Sequence, residues 1–324
     1  METRLKEVFA FVNNKGGVAK TTSVQNVAAG MLRKNPALRI LVIDLDPQCN
    51  LSSLMNWSSY QEDITVYDSL IAADADPLPS LHVYQSEPGL YFLPASPKLA
   101  DIERALNTQM QPKLALSTIL GSPLHLHSNT QGATTQGATT QEATTQEATV
   151  LGDSVAEPSP DSVAEPIASV AAPLASVPEP PLPLYPEDFF DYILIDCPPA
   201  LSILTFNALA AATAILIPVE LGALSVDGIG NMLDAYTAVK RRINKDLVMR
   251  GLFIVKSDER PRVARETIDI LKDTWGAHLL NARVRQCVKI QESQWHHLDI
   301  FKHAPECNAA KDYAALVDEL ITDN

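Results

Sequence analysis

The chain has 324 residues, is 46% hydrophobic, and carries 39 acidic against 25 basic residues for a net charge of −14. That is enough apolar material for a sizeable core, and the lack of any run of about 18 apolar residues excludes a membrane-spanning helix. Met1–Lys6 reads as no secretory leader, and Cys49, Cys197, Cys287 and Cys307 lack metal-cage spacing, so reduced thiols in a cytoplasmic setting are expected.

Val8-Phe9-Ala10-Phe11-Val12 is an apolar run of strand length. Asn13 to Thr22 follow, and then a helix with Val24, Val27, Ala28, Met31 and Leu32 on one face. Strand, Gly-rich turn, Lys-Thr and helix make the layout of a phosphate-binding loop. Successive backbone N–H groups and the positive helix end surround an anion there. Lys20 then reaches the β- and γ-phosphates, and the Thr21 hydroxyl holds Mg²⁺. Arg39 to Gln48 read as a strand ending in Asp44 and Asp46. Alternation puts both carboxylates on one side, toward the carboxyl edge of the sheet where the phosphates sit.

Residues 121–186 are different material. Four tandem pentapeptides begin at Gln131, Gln136, Gln141 and Gln146, and Asp-Ser-Val-Ala-Glu-Pro occurs at Asp153 and again at Asp161. A Pro-rich run from Pro178 to Pro186 closes the segment. So few large apolar residues cannot offset the entropy of ordering. The segment is expected to be a disordered insertion, serving as an inert tether or recruiting a partner through its prolines. Residues 1–120 and 187–324 then form one α/β domain.

Beyond it, Tyr192–Asp196, Ala214–Glu220 and Gly251–Val255 read as buried strands. Residues 240–289 carry 13 basic and 6 acidic residues. Composition leaves nucleic-acid contact and ordinary solvated helix faces equally open. His296, His297 and His303 are expected in ordinary surface or packing roles, because adjacent histidines point apart.

Lys15-Gly16-Gly17-Val18-Ala19-Lys20-Thr21-Thr22 resembles the deviant Walker A loop of the ParA/Soj/MinD family of ATPases, KGGVGKTT in that family. The resemblance extends to Asp44-Leu45-Asp46-Pro47-Gln48 with Asn50, to the Walker B strand at Tyr192–Asp196, and to segments at Leu224–Ala235, Val288–Ser293 and Ala304–Leu320. It implies ATP and Mg²⁺ as cofactors, bound by Lys15 to Thr22. It implies that Asp46 positions the attacking water, that Asp44 sits near the metal shell, and that Asp196 binds Mg²⁺. Lys15 is implied to cross a homodimer interface to the partner's nucleotide, and Arg260 and Lys289 to bind DNA without sequence preference. Ala19 departs from the family's glycine; its Cβ calls for φ < 0, and a modest loss of affinity is expected.

The implied fold is α/β: a mostly parallel twisted sheet with helices on both faces. The implied function is ParA-type partitioning of plasmid or chromosomal DNA by an ATPase on the nucleoid, stimulated by a ParB-like activator. The chain resembles the smaller type without an N-terminal DNA-reading domain. The alternative is a positioning ATPase for a protein cargo. The acidic end at Asp318–Asn324 lacks the basic amphipathic face of a MinD-like membrane anchor, and cysteines placed to share an iron–sulfur cluster are absent.

Overall fold

Apolar runs on successive strands divide their side chains between two layers, because neighbouring residues of a strand point to opposite faces. The computed structural model describes residues 3–57, 64–128, 183–222 and 225–321. They belong to one compact unit, 1–129 with 183–324, and the other unit, 130–182, lies outside them. The chain begins β1 (Glu7–Phe11), α1 (Lys20–Lys34), β2 (Ile40–Asp44), α2 (Asn50–Leu54), α3 (Val66–Ile71), β3 (Leu81–Glu87) and β4 (Leu90–Leu93). It continues α4 (Ile102–Leu106), α5 (Ala115–Ile119), β5 (Leu124–Ser128), α6 (Pro186–Phe189), β6 (Tyr192–Asp196), α7 (Ile203–Ala211) and β7 (Ala214–Glu220). It ends α8 (Ser225–Arg242), β8 (Val248–Ser257), α9 (Arg262–Trp275), β9 (Leu279–Arg285), α10 (Val288–Trp295), α11 (Ile300–His303) and α12 (Asn308–Ile321).

Among the described residues the strands form one sheet in the order β5-β3-β4-β2-β6-β1-β7-β8-β9. All neighbours run parallel except β3 with β4. On β1, Val8 and Ala10 enter one layer, and Phe9 and Phe11 the other. Likewise β6 sends Ile193 and Ile195 one way and Tyr192 and Leu194 the other. Residues of α3, α5, α7 and α8 close the first layer, and those of α1 and α12 the second. Helices on both faces explain why the central strands are apolar throughout.

The α1–α12 contact is tight at Gly30, where an added Cβ would come within 2.9 Å of Val317 Cγ2. The buried Tyr313 hydroxyl lies 3.2 Å from Ser23 Oγ in the same seam. After α1 the chain passes beyond β6 to β2, and after α7 it passes to the far side of β1 as β7. The path thus diverges around the β6–β1 pair, and ligand crevices form at the carboxyl ends of such strands.

The strand beginning at Arg39 stops at Asp44, so Asp46 lies in the loop beyond it. The C-terminal helix expected from Ala304 begins at Asn308, because Pro305 disfavours helical backbone at the residue before it. The segment expected from Leu224 starts outside the described residues, which resume at Ser225. Residues 124–128, assigned by composition to the insertion, form β5 alongside β3. Leu124-His125-Leu126-His127 is too short and too polar a run to stand out from its surroundings.

Gly89 makes the turn from β3 to β4 with φ +80°, and a Cβ there would meet Leu38 O at 2.6 Å and Leu32 Cδ2 at 2.8 Å. Gly89→Ala is expected to cost about 2 kcal/mol through strain and overlap together. A urea denaturation series reads this directly, and an unchanged midpoint would mean that the turn relaxes freely.

Candidate functional site

The loop between β1 and α1 is tied down at both ends. Asn13 Nδ2 donates to the Pro218 carbonyl at 2.7 Å, anchoring the loop to β7, and Asn13 Oδ1 accepts from the Lys15 N–H at 2.9 Å. Gly17 takes φ 77°, a left-handed conformation that glycine adopts without penalty. Ala19 takes φ 56° and ψ 29°, so the expected negative φ is not adopted. Its carbonyl still accepts the first helical bond, from Ser23 N at 2.9 Å. A Cβ in that region costs on the order of 1–2 kcal/mol, held by the anchors on either side.

Lys20 opens α1 and is buried; its ammonium donates to the Asn13 carbonyl at 3.1 Å and the Lys15 carbonyl at 3.3 Å. Burial lowers its pKa, against the pull of Asp196, Cys197 and Asp46. Asp44 and Asp196 are register partners at the carboxyl ends of β2 and β6, and both are fully buried. The two Asp44 oxygens are taken up by its own loop: Oδ1 accepts from Asp46 N at 3.0 Å, and Oδ2 from Ser52 N at 2.8 Å and Ser52 Oγ at 2.7 Å. Asp44 therefore holds the loop and α2 in place, beside Asp196. Burial pushes its pKa up to about 6 against those hydrogen bonds. Asp46 is poised above it, with Oδ1 accepting from Gln48 N at 2.9 Å.

Asp196 is the anomaly. Neither carboxyl oxygen has a hydrogen-bond partner of normal geometry, although the side chain is wholly buried. Burial and the charge of Asp44 hold its pKa well above the usual range, outweighing the nearby Thr21 hydroxyl and Lys20 ammonium. A buried, unsatisfied carboxylate is costly. Paired with the Thr21 hydroxyl it offers hard oxygen donors of the kind Mg²⁺ takes, at the foot of a phosphate cradle. The donor set fits that ion.

A cleft of about 660 Å³ opens above the loop, a size suited to a nucleotide. Gly17 to Thr22 make its floor, and Asp46, Gln48 and Asn50 line one wall. The other wall comes from the ends of β8 and β9 and from α10, including Lys256, Gln286, Cys287 and Ile290. Two cations flank its mouth. Lys15 Nζ lies 3.5 Å from Glu220 Oε2, with both side chains about a third exposed. Lys256, at φ 50°, donates to the Gly17 carbonyl at 2.6 Å. Lys256 and Glu220 were missed in the sequence, although both sit where strands end at the carboxyl edge.

Arg260 and Lys289 lie off the cleft, on the loop after β8 and in the first turn of α10. Each is exposed and paired locally: Arg260 with Asp258 at 2.7 Å, Lys289 with Glu292 at 2.6 Å. Arg262, Arg283 and Arg285 pair in the same way with Glu266, Glu259 and Asp312. His297 and His303 have ordinary partners, the Ser53 carbonyl and Glu292.

Asp44 and Asp46 both press on the buried Asp196, so removing its charge relieves repulsion. Asp196→Asn is expected to raise the melting temperature of the ligand-free protein at neutral pH. A carboxyl whose pKa is raised by folding costs stability only above the pKa it has in the unfolded chain, so the gain should shrink as pH falls into the acid range. Melting scans of both proteins across pH test this; a gain that grows on acidification would contradict it.

Residues 6–124 and 186–249 match the family model of an AAA domain, AAA_31. A curated relative, the chromosome-partitioning ATPase Soj of Treponema pallidum, is 27% identical, with 97% of each chain covered. Among solved structures, Mycobacterium smegmatis cobyrinic acid a,c-diamide synthase with a bound ATP analogue and magnesium superposes with a TM-score of 0.65, at 22% identity over 98% of this chain and 95% of that one. A Cyanothece McdA–ATP complex gives 0.69 at 14% identity, over 99% and 98%. At these identities the solved structures speak for the fold, and the family match covers more than half of the chain. With its deviant loop in place on that fold, the chain belongs to the AAA_31 family and is an ATPase of the ParA/Soj type.

Proposed function

We propose that this chain binds ATP with Mg²⁺, pairs with a second copy of itself through Lys15, binds DNA as the dimer, and serves DNA partitioning. The observation that carries the proposal is Lys15. It stands at the mouth of the cleft, held by one half-exposed carboxylate, Glu220. Such a pair is worth under about 1 kcal/mol, so the ammonium leaves it readily for a stronger anion. A polyphosphate on a facing subunit is such an anion, and the lysine would steady the charge that develops there during transfer.

The remaining residues divide the work. The N–H groups of Gly16 to Thr22 and the Lys20 ammonium cradle the phosphates. Thr21 and Asp196 would hold Mg²⁺, which neutralises β- and γ-phosphate charge when bound. Asp46, fixed by its bonds to Gln48 and Asp44, orients the attacking water. Asp44 acts through Asp46 by holding the loop. Arg260 and Lys289 exchange their local acids for DNA phosphates, at little cost because the pairs are exposed. The similarity to the chromosome-partitioning ATPase Soj of Treponema pallidum supports the partitioning role. An activator protein of the ParB kind would trigger hydrolysis.

The proposal is tested by DNA binding in ADP, ATP and a slowly hydrolysed analogue, across salt. Binding in the triphosphate states alone is expected; equal binding in ADP would overturn the nucleotide control. Lys15→Ala should keep nucleotide binding while losing dimer formation and hydrolysis, read by sedimentation and phosphate release. Normal turnover in that variant would remove the cross-subunit role. Arg260→Glu with Lys289→Glu should abolish DNA binding while leaving the dimer intact. Full retention would put the DNA surface elsewhere.

A further inference from the structure

The half of the sheet that takes no part in the cleft carries its own cluster of chemistry. His82 on β3 and His125 on β5 are register partners, and Tyr84 is the register partner of His127. Alternation puts all four side chains on one face of the sheet edge. Ring centroids are 4.8 Å apart for His82 and His125, 5.1 Å for His82 and His127, and 4.6 Å for His125 and His127. His82 Nδ1 lies 2.8 Å from His127 Nε2, and a ring nitrogen from each of the three lies within 4.8 Å of the others.

We propose that His82, His125 and His127 form a transition-metal site, with Zn²⁺ the expected ion. Three imidazoles select Zn²⁺ and its first-row neighbours over Mg²⁺ or Ca²⁺, which prefer oxygen. Tetrahedral Zn²⁺ with nitrogens at 2.0–2.1 Å places those nitrogens about 3.3 Å apart. The 2.8 Å pair must open by about 0.5 Å, and the widest must close by at most about 1.5 Å. Side-chain rotation supplies both, since His125 is exposed and the other two are half-buried. As the ion binds, the proton between His82 and His127 moves to the other nitrogen of its own ring, and, with no fourth Cys, His, Asp or Glu grouped here among the described residues, solvent supplies the remaining ligand.

The surroundings suit the role. Tyr84 stacks on His127 with centroids 4.6 Å apart and planes 16° apart. Its hydroxyl is held by the Ile64 backbone, accepting from N at 3.1 Å and donating to O at 3.3 Å. His127 is thus backed by a fixed plate, as metal-bound imidazoles usually are by a neighbouring group. A bound ion would clip β5 to β3, one residue before the start of 129–182.

The test uses the full chain without an affinity tag, stripped by chelator and saturated with Mg-ADP so that the cleft is occupied. Zn²⁺ is titrated against a chromophoric chelator, and Co²⁺ serves as the spectroscopic probe. One Zn²⁺ per chain and the intense visible bands of tetrahedral Co²⁺ are expected. Losing an outer-shell partner already costs 10–100-fold in affinity, so His125→Ala and His127→Ala should each weaken Zn²⁺ at least tenfold. His125 is exposed, so its removal leaves the fold intact. His296→Ala with His303→Ala should change nothing. No stoichiometric Zn²⁺ on the parent chain, unchanged affinity in His125→Ala, or a loss in the His296/His303 variant would each overturn the assignment.

Discussion

A buried carboxylate without hydrogen bonds, set against a buried lysine, is the constraint around which this fold is arranged. Asp196 can sit in a dry interior only because β6 lies between β1 and β2 and stops level with them. That placement brings the loop lysine to one side and Asp44 to the other. The cost is real in the free protein, since burial acts against both the ammonium and the carboxylates. It is recovered when hard cationic charge and phosphate oxygens enter together, so stability has been traded for a ligand that must arrive as a unit.

Much of this was legible in the residues. The apolar runs at Val8–Val12, Tyr192–Asp196 and Ala214–Glu220 stand out because parallel strands covered on both faces have no polar positions to interrupt them. The loop motif located the cleft for a similar reason: backbone closeness to phosphate demands glycine, lysine and threonine at fixed spacing. What escaped detection was pairing across distance. Glu220 and Lys256 reach the cleft from strands far along the chain, and neither has a local signature. Alternation along β2 says only which way the Asp44 side chain points. It does not say that Ser52, eight residues later, will claim it. Ala19 misled in the opposite sense, since the path of the loop holds it in a left-handed backbone that alanine disfavours.

The surface shows a different economy. Several of the cations that composition suggested for nucleic acid are already matched with an acid: Arg260 with Asp258, Lys289 with Glu292, Arg285 with Asp312. Local neutralisation keeps a basic half from sticking to every polyanion. An incoming phosphate must compete with a built-in carboxylate, so a single weak contact gains little and an array gains much. Lys15 with Glu220 repeats the pattern at the cleft mouth.

The backbone around residues 124 and 184 has an architectural consequence. Leu124 N, at the start of β5, donates to the Leu184 carbonyl at 2.7 Å, so the stretch returning before α6 is fastened to the strand from which the chain leaves. Closing a loop between neighbouring points costs only a slowly rising entropy as it lengthens. Descendants of this gene could therefore lengthen, shorten or replace 129–182, or even host an entire foreign domain there, without retuning the phosphate chemistry at the opposite half of the sheet.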